Sequence, residues 1–320
     1  MPTRRRLLTT VLATATGLAA LRDHRTVLAA PNAGSATGAT GAATGQAGMA
    51  TRPIPSSGEQ LPVIGMGTSG SFEVGTSAAE REPLRQVLAR FFAGGGSLID
   101  TAPSYSSAED VLGELLGMAV PRPSAFIATK LSSQGRDAGL RQFNASLRRL
   151  KVDKVDLLQV HNLIDWKTQF ALINELKAQG KVRYSGVTHY LDSGHKALAE
   201  VVQQVKPDFL QVNYSVVSVN AEKQVFPLAR DLGVAVLINR AFDDGRLFSR
   251  VAGMALPPWA EEAGITSWAQ VFLKFALSHP AVTTVIPATG KPDRLSDNLK
   301  AGAGADFSED QRRSLIAMFS

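Results

Sequence analysis

The 320-residue chain has no cysteine, which removes disulfide frameworks, thiolate zinc sites, iron–sulfur clusters and cysteine nucleophiles together. It also lacks an excess of one charge beyond its N-terminus. Arg4, Arg5, Arg6, Arg22 and Arg25 stand there against a single acid, Asp23, and the remaining chain carries 29 bases against 27 acids. The net charge of +6 therefore belongs mostly to the start, and no stripe of Lys and Arg with interleaved aromatics follows. No nucleic-acid partner is expected. Long apolar runs are missing too. The small and apolar stretch ending at Leu21 is too short to span a bilayer, so no stable membrane span is expected in the mature protein. Neither His161 nor His189 is accompanied by a carboxylate pair or a third ligand at ligand spacing, and no metal is expected.

What is present is an ordinary globular composition, 44% hydrophobic and 19% charged, long enough for one large core or two small ones. Thr3-Arg4-Arg5-Arg6-Leu7-Leu8, ahead of an Ala/Thr-rich segment, resembles an export leader of the twin-arginine type, which carries folded proteins across the bacterial inner membrane. That resemblance implies the twin-arginine export machinery as a partner and the periplasm as destination. An unstructured basic tail on a cytoplasmic protein is the competing reading. Ala, Gly, Thr and Ser then dominate as far as Ala50 and cannot bury enough apolar surface to offset the entropy of ordering. The expected organisation is a leader over 1–30, a linker over 31–52 and a folded domain over 53–320.

From Leu61 onward, short β-branched runs alternate with amphipathic segments of helical length, the pattern of repeated βα units around a parallel sheet. Strands are predicted over 63–67, 97–101, 125–130, 155–161, 183–188, 209–213, 235–239 and 283–287. Eight units in this length are the size of one closed (β/α)8 TIM barrel. A doubly wound open sheet would normally show a Gly-rich phosphate turn after its first strand. Here Gly65-Met66-Gly67 lacks the third glycine and an adjoining helix start.

Chemistry in such a barrel sits at the C-terminal ends of the strands. Asp100, Lys130 and His161 close three successive apolar runs, and Tyr105 lies in the loop five residues beyond Asp100. Singly, each has a structural explanation: a turn cap, a solvated base, a satisfied core histidine, loop packing. Together they form a catalytic constellation. A lysine ending an apolar strand puts an ammonium in a half-buried mouth, where it needs the carboxylate that Asp100 supplies. An ammonium beside a phenol lowers the phenol's pKa from its free value of about 10, which would let Tyr105 donate a proton nearer neutral pH. His161 would then hydrogen-bond and orient a substrate carbonyl.

Leu98-Ile99-Asp100-Thr101-Ala102 through Tyr105, Ser107-Ala108-Glu109-Asp110-Val111-Leu112-Gly113, Ala128-Thr129-Lys130 and Asp156-Leu157-Leu158-Gln159-Val160-His161 together resemble the aldo-keto reductase superfamily. The resemblance extends from about Leu61 to Leu299. It implies reduction of an aldehyde or ketone to an alcohol with NADPH, NADH being the alternative cofactor, and a small-molecule carbonyl substrate. It places Thr188, His189 and Gln211 near the nicotinamide carboxamide, with Gly67 and Thr68 also at the cofactor. Thr289, Gly290, Lys291, Arg294 and Asn298 would grip the adenosine end, Arg294 meeting the 2′-phosphate and Asn298 the adenine. Two positions depart from the family pattern. Asn239 stands where an aromatic usually stacks on the nicotinamide, leaving Arg240 and Phe242 beside the cofactor and Phe242 as the stacking candidate. Ala288 occupies a frequent phosphate-binding lysine position, with Lys291 as its replacement.

Two further readings come from other classes. One is an exported NADP(H)-binding module that senses redox state or regulates a partner with little turnover. The other is a hydrolytic or lyase barrel, which lacks the metal set or paired carboxylates it needs. The mouth loops 69–79 and 243–264 would set specificity, and Trp166 and Trp259 either line the pocket or pack beneath a loop.

Overall fold

The computed structural model of the protein describes residues 48–119 and 125–320. The expected leader over 1–30 and the linker as far as residue 47 lie outside the described residues. Strands β1 (Thr51–Pro53) and β2 (Gln60–Pro62) form an antiparallel hairpin in which Thr51 pairs with Pro62 and Arg52 with Leu61. The folded part thus includes Thr51 and Arg52, which the boundary at 53 left to the linker although the Ala/Gly/Thr/Ser-rich composition itself ends at Ala50. Composition does not register why: the Arg52 guanidinium donates to the Leu277 carbonyl at 2.7 Å and to Asp306 at 2.8 Å.

Eight parallel strands follow: β3 (Met66–Gly67), β4 (Leu98–Asp100), β5 (Phe126–Leu131), β6 (Val155–His161), β7 (Val182–Thr188), β8 (Phe209–Asn213), β9 (Ala235–Asn239) and β10 (Thr284–Val285). Each pairs with its successor, and bridges from Ile64 to Val285 and from Gly67 to Ala288 join the first strand to the last. The chain is a (β/α)8 TIM barrel. Closure brings two backbones together at Gly67, where a Cβ would stand 2.9 Å from the Ile286 carbonyl oxygen. A side chain there would push the closing strands apart.

The helices are α1 (Ala78–Ala93), α2 (Ala108–Ala119), α3 (Arg136–Leu150), α4 (Trp166–Ala178), α5 (His195–Val205), α6 (Val225–Leu232), α7 (Arg246–Arg250), α8 (Pro258–Glu262), α9 (Trp268–Leu277), α10 (Pro292–Lys300) and α11 (Glu309–Phe319). Several starts and stops are written in the sequence. Ser77, Ser267 and Ser308 cap helix N-termini through their hydroxyls, and Gly233 ends α6 in the left-handed conformation at φ 65°. The mouth segment 243–264 is not a plain loop, since α7 and α8 lie within it. None of the described helices is long and apolar enough to cross a membrane.

Side chains alternate along a strand, so positions two apart face the same way. Inside the barrel, Leu98, Phe126, Leu157, Tyr184, Phe209 and Ala235 form an apolar floor that Ile54 and Leu61 of the hairpin region cover from below. Phe126 stacks on Tyr184 at 5.9 Å and Tyr184 meets Phe209 edge-on at 5.5 Å. Climbing the same faces by steps of two leads from Leu98 to Asp100, from Phe126 through Ala128 to Lys130, from Leu157 through Gln159 to His161, and from Phe209 to Gln211. The interior passes from apolar floor to polar roof within two to four residues of each of these strands, and the roof is the candidate site.

Candidate active site

A cavity of about 890 Å³ opens at the C-terminal ends of the strands. Asp100, Tyr105 and His161 line it, and Lys130 lies behind Tyr105. Lys130 is the penultimate residue of β5, and its side chain is fully buried instead of half-exposed at a mouth. An ammonium removed from water must find partners for its protons. It donates to Asp100 Oδ2 and, at 2.8 Å, to the Thr101 carbonyl, and it stands 4.9 Å from the centre of the Tyr105 ring. Asp100 Oδ1 accepts from Gln159 Nε2 and Gln211 Nε2, each at 2.9 Å. The buried carboxylate therefore has a cation on one oxygen and two amides on the other.

Burial pulls the Lys130 pKa down, but attraction to Asp100, aided by Tyr105, reverses this and carries it above the ordinary lysine value, so the side chain stays charged. The Tyr105 hydroxyl is shifted upward, contrary to the sequence expectation. Burial is the largest cause, Lys130 draws the pKa back down, and Asp100 adds to the rise. The ammonium's charge is largely engaged by Asp100, which leaves too little to overcome desolvation of a phenolate. The phenol consequently holds its proton throughout the neutral range.

His161 is pushed down to about 3 by burial and by the nearby Lys130 charge, so its imidazole is neutral. Its Nδ1 lies 3.5 Å from Ser104 Oγ, and its ring meets Tyr105 edge-on at 6.0 Å. Burial, followed by Arg312, likewise lowers His279 to about 4. In the unfolded chain both would titrate near 6.5, so below that pH the unfolded state binds protons that the native state refuses. Stability should then fall as pH drops from 6.5 towards 4, by up to about 1.4 kcal/mol per pH unit from His161 and less from the more solvent-screened His279. Urea unfolding at pH 7, 6 and 5 should show a declining midpoint, and a flat profile would contradict the assignment.

Among the other positions singled out from sequence, Gly67, Thr68, Thr188 and Gln211 line the cavity, as do Asn239, Arg240, Phe242 and Arg294. Gln211 is engaged on both sides of its amide: Oε1 accepts from Thr188 Oγ1 and Asn239 Nδ2, each at 3.3 Å. Asn239 Oδ1 is left buried and unpartnered. Arg294 stands in the first turn of α10, and no side-chain partner for it occurs among the described residues. Arg240 bonds the Tyr190 carbonyl at 3.3 Å, pairs with Asp244 and covers the Tyr190 ring at 5.4 Å.

Five positions do not line the cavity. His189 accepts from the Leu191 amide at 3.2 Å and stacks on Tyr190. Thr289 Oγ1 accepts from the Lys291 amide at 3.2 Å, shaping the turn into α10. Gly290 packs against Ser71 and Leu84, Lys291 is exposed at the start of α10, and Asn298 is buried near its end. Trp166 packs against the core, and Trp259 packs edge-on against Phe307 at 4.9 Å.

Sequence reasoning passed over Gln159, Ser104, Asn162, Tyr190 and Phe248. Gln159 carried a usable signal, because it is a polar residue two positions before His161 in an apolar strand and so shares its inward face. Ser104, Asn162 and Tyr190 lie on connections where no periodicity marks direction, and Phe248 lies in α7, a five-residue helix too short to show one.

A model of the Aldo/keto reductase family matches residues 63–317. The chain is 28% identical over 195 residues to an NADH-specific methylglyoxal reductase of Escherichia coli, a match spanning 51% of this chain and 57% of that protein. It is 27% identical over 263 residues to a morphine 6-dehydrogenase of Pseudomonas putida, spanning 76% of this chain and 83% of the relative. Among solved structures, an aldo/keto reductase from Klebsiella pneumoniae in complex with NADP and acetate superimposes with a TM-score of 0.71 at 26% identity, covering 82% of this chain and 93% of the other.

Proposed function

The chain belongs to the aldo/keto reductase family, and from that premise we propose that it reduces an aldehyde or ketone to the alcohol with NADPH. The observation that carries this reading is Tyr105 facing the cavity with the Lys130 ammonium 4.9 Å from its ring centre, itself paired with Asp100, and His161 edge-on at 6.0 Å. A nicotinamide dinucleotide bound there would supply the hydride for the carbonyl carbon. The residues present suit such a ligand. Asn239 Oδ1 is a buried acceptor awaiting an N–H donor, as a carboxamide offers. Arg294 at the N-terminal turn of α10 is a free fork for a phosphate, which favours NADPH over NADH.

In this mechanism the substrate oxygen accepts hydrogen bonds from the Tyr105 hydroxyl and from His161 Nε2–H. That role uses the tautomer protonated on Nε2, in which Nδ1 is free to accept from the Ser104 hydroxyl 3.5 Å away. As charge builds on that oxygen, Tyr105 delivers its proton, and the phenolate left behind is stabilised by Lys130. Asp100, held by Gln159 and Gln211, keeps the ammonium charged and aimed. Oxidation of the alcohol would use the same groups with Tyr105 as base. Because His161 is neutral over the working range, kcat/KM for reduction should show no limb near pH 6.5.

Export by the twin-arginine route, inferred from Arg4, Arg5 and Arg6, belongs to the same proposal. One preparation addresses both parts: full-length protein recovered separately from periplasmic and cytoplasmic fractions, with bound nucleotide identified and NADPH oxidation followed over a carbonyl panel that includes methylglyoxal. Multiple turnover by a periplasmic form is expected. A single turnover of bound cofactor would favour a binding module, and absence of both binding and turnover would overturn the reading.

A further inference from the structure

A second cavity, of about 310 Å³, is lined by Arg52 of β1, Lys274 near the end of α9 and Asp306 in the connection to α11, with Ala50, Val63 and Leu277 as an apolar wall. Val63 precedes β3, and Leu277 ends α9 ahead of β10. The cavity therefore lies at the N-terminal ends of the strands, opposite the candidate active site, and no step of the proposed reaction uses it.

Lys274 sets this cavity apart. It is 4% exposed, and no carboxylate pairs with it among the described residues. Its Nζ donates to the Ala303 carbonyl at 2.7 Å and to the Gly304 carbonyl at 3.4 Å, which leaves one of its three N–H donors unspent. A buried ammonium is normally held by an anion, as Lys130 is by Asp100. Here the acid in the wall, Asp306, is half exposed and engaged by Arg52 at 2.8 Å. Burial accordingly lowers the Lys274 pKa, Asp306 offsets only part of this, and Arg52 lowers it further. Arg52 also has donors to spare, since three of its five N–H groups go to Val282, Leu277 and Asp306. The amides of Gly304 and Ala305, likewise in the wall, have no protein acceptor among the described residues.

Charge and shape together name a ligand class. Two cations and one acid leave the lining with a single positive charge in excess, which a monoanion neutralises and a phosphate dianion overshoots against Asp306. Water would satisfy the spare donors but not the charge. The space exceeds that of a bare oxyanion, and the apolar wall suits carbon. We propose that this cavity binds a small aliphatic carboxylate, its oxygens on Lys274 and Arg52 and its chain against Ala50, Val63 and Leu277. The ligand would tie β1 to α9 and to the segment before α11, so it acts on the stability of the fold and leaves the chemistry at the barrel mouth alone.

The test is calorimetric titration of the full-length protein with butanoate and, as a neutral counterpart of the same shape, butanamide. Butanoate should bind at one site and butanamide roughly tenfold more weakly or not at all. Lys274→Met keeps an unbranched side chain and should weaken butanoate by roughly ten- to a hundredfold, the worth of a hydrogen bond to a charged group. Asp306→Asn removes the opposing charge and should tighten butanoate by about two- to fivefold, a gain that misfolding does not produce. Tyr105→Phe should leave the affinity unchanged. Absence of binding by the wild type, equal affinity for the two compounds, or an Asp306→Asn variant no tighter than wild type overturns the proposal. So does butanoate binding that is lost in Tyr105→Phe and kept in Lys274→Met, because it places the carboxylate at the barrel mouth.

Discussion

Replacing Tyr105 with phenylalanine should lower kcat for carbonyl reduction by about 10²- to 10⁴-fold, the usual worth of a positioned general acid. The substitution removes one oxygen and leaves the ring, its edge contact with His161 and its place in the cavity wall. Stability should therefore change by less than about 1 kcal/mol, because no cavity is created and no buried charge loses its main partner. Lys130 keeps Asp100 and the Thr101 carbonyl. Nucleotide affinity, followed by protein fluorescence on titration with NADPH, should stay within a few-fold of wild type, since no step of cofactor binding has been assigned to the hydroxyl. A variant that turned over its best carbonyl substrate at the wild-type rate would remove Tyr105 from the mechanism.

Lys130→Met should be damaging in two separable ways. It leaves the Asp100 carboxylate buried with only Gln159 and Gln211 as donors, and stranding one member of a buried ion pair costs about 3–5 kcal/mol. It also removes the cation beside the Tyr105 phenolate, a loss of about 10²- to 10³-fold in kcat if it resembles removal of one preorganised electrostatic group. Pairing it with Asp100→Asn separates the effects. The asparagine carboxamide oxygen can still accept from both glutamines, and the charge needing a partner is gone. Most of the lost stability should return in the double variant, read as the urea midpoint, while activity should not. Recovery of activity together with stability would mean that Lys130 serves the fold alone.

The fold was largely legible beforehand, for a reason visible in individual strands. A strand buried on both faces needs a continuous apolar run, so segments such as 98–100, 126–131 and 157–160 announce themselves without tertiary information. The candidate positions at the strand ends were legible because a charged residue terminating such a run is expensive to bury unless it has a use or a partner. The inner polar layer was harder to read. Gln159 sits inside its run, and only the period of two that links it to His161 reveals that it points at Asp100. Closure at Gly67 was invisible, since it depends on the approach of Ile286, more than two hundred residues away in sequence.

The identities and spacing along the chain thus determined the number of βα units and the positions of Asp100, Lys130 and His161 at the ends of three successive strands, because strand period is a local property and successive parallel βα units tend to lie side by side. Only the tertiary structure decided that the Tyr105 pKa moves up instead of down, how Gln211 is engaged and which oxygens of Asn162 and Asn239 are left unpartnered. Those depend on how much water is excluded and on which donors converge from strands distant in sequence. No composition or periodicity carries that information.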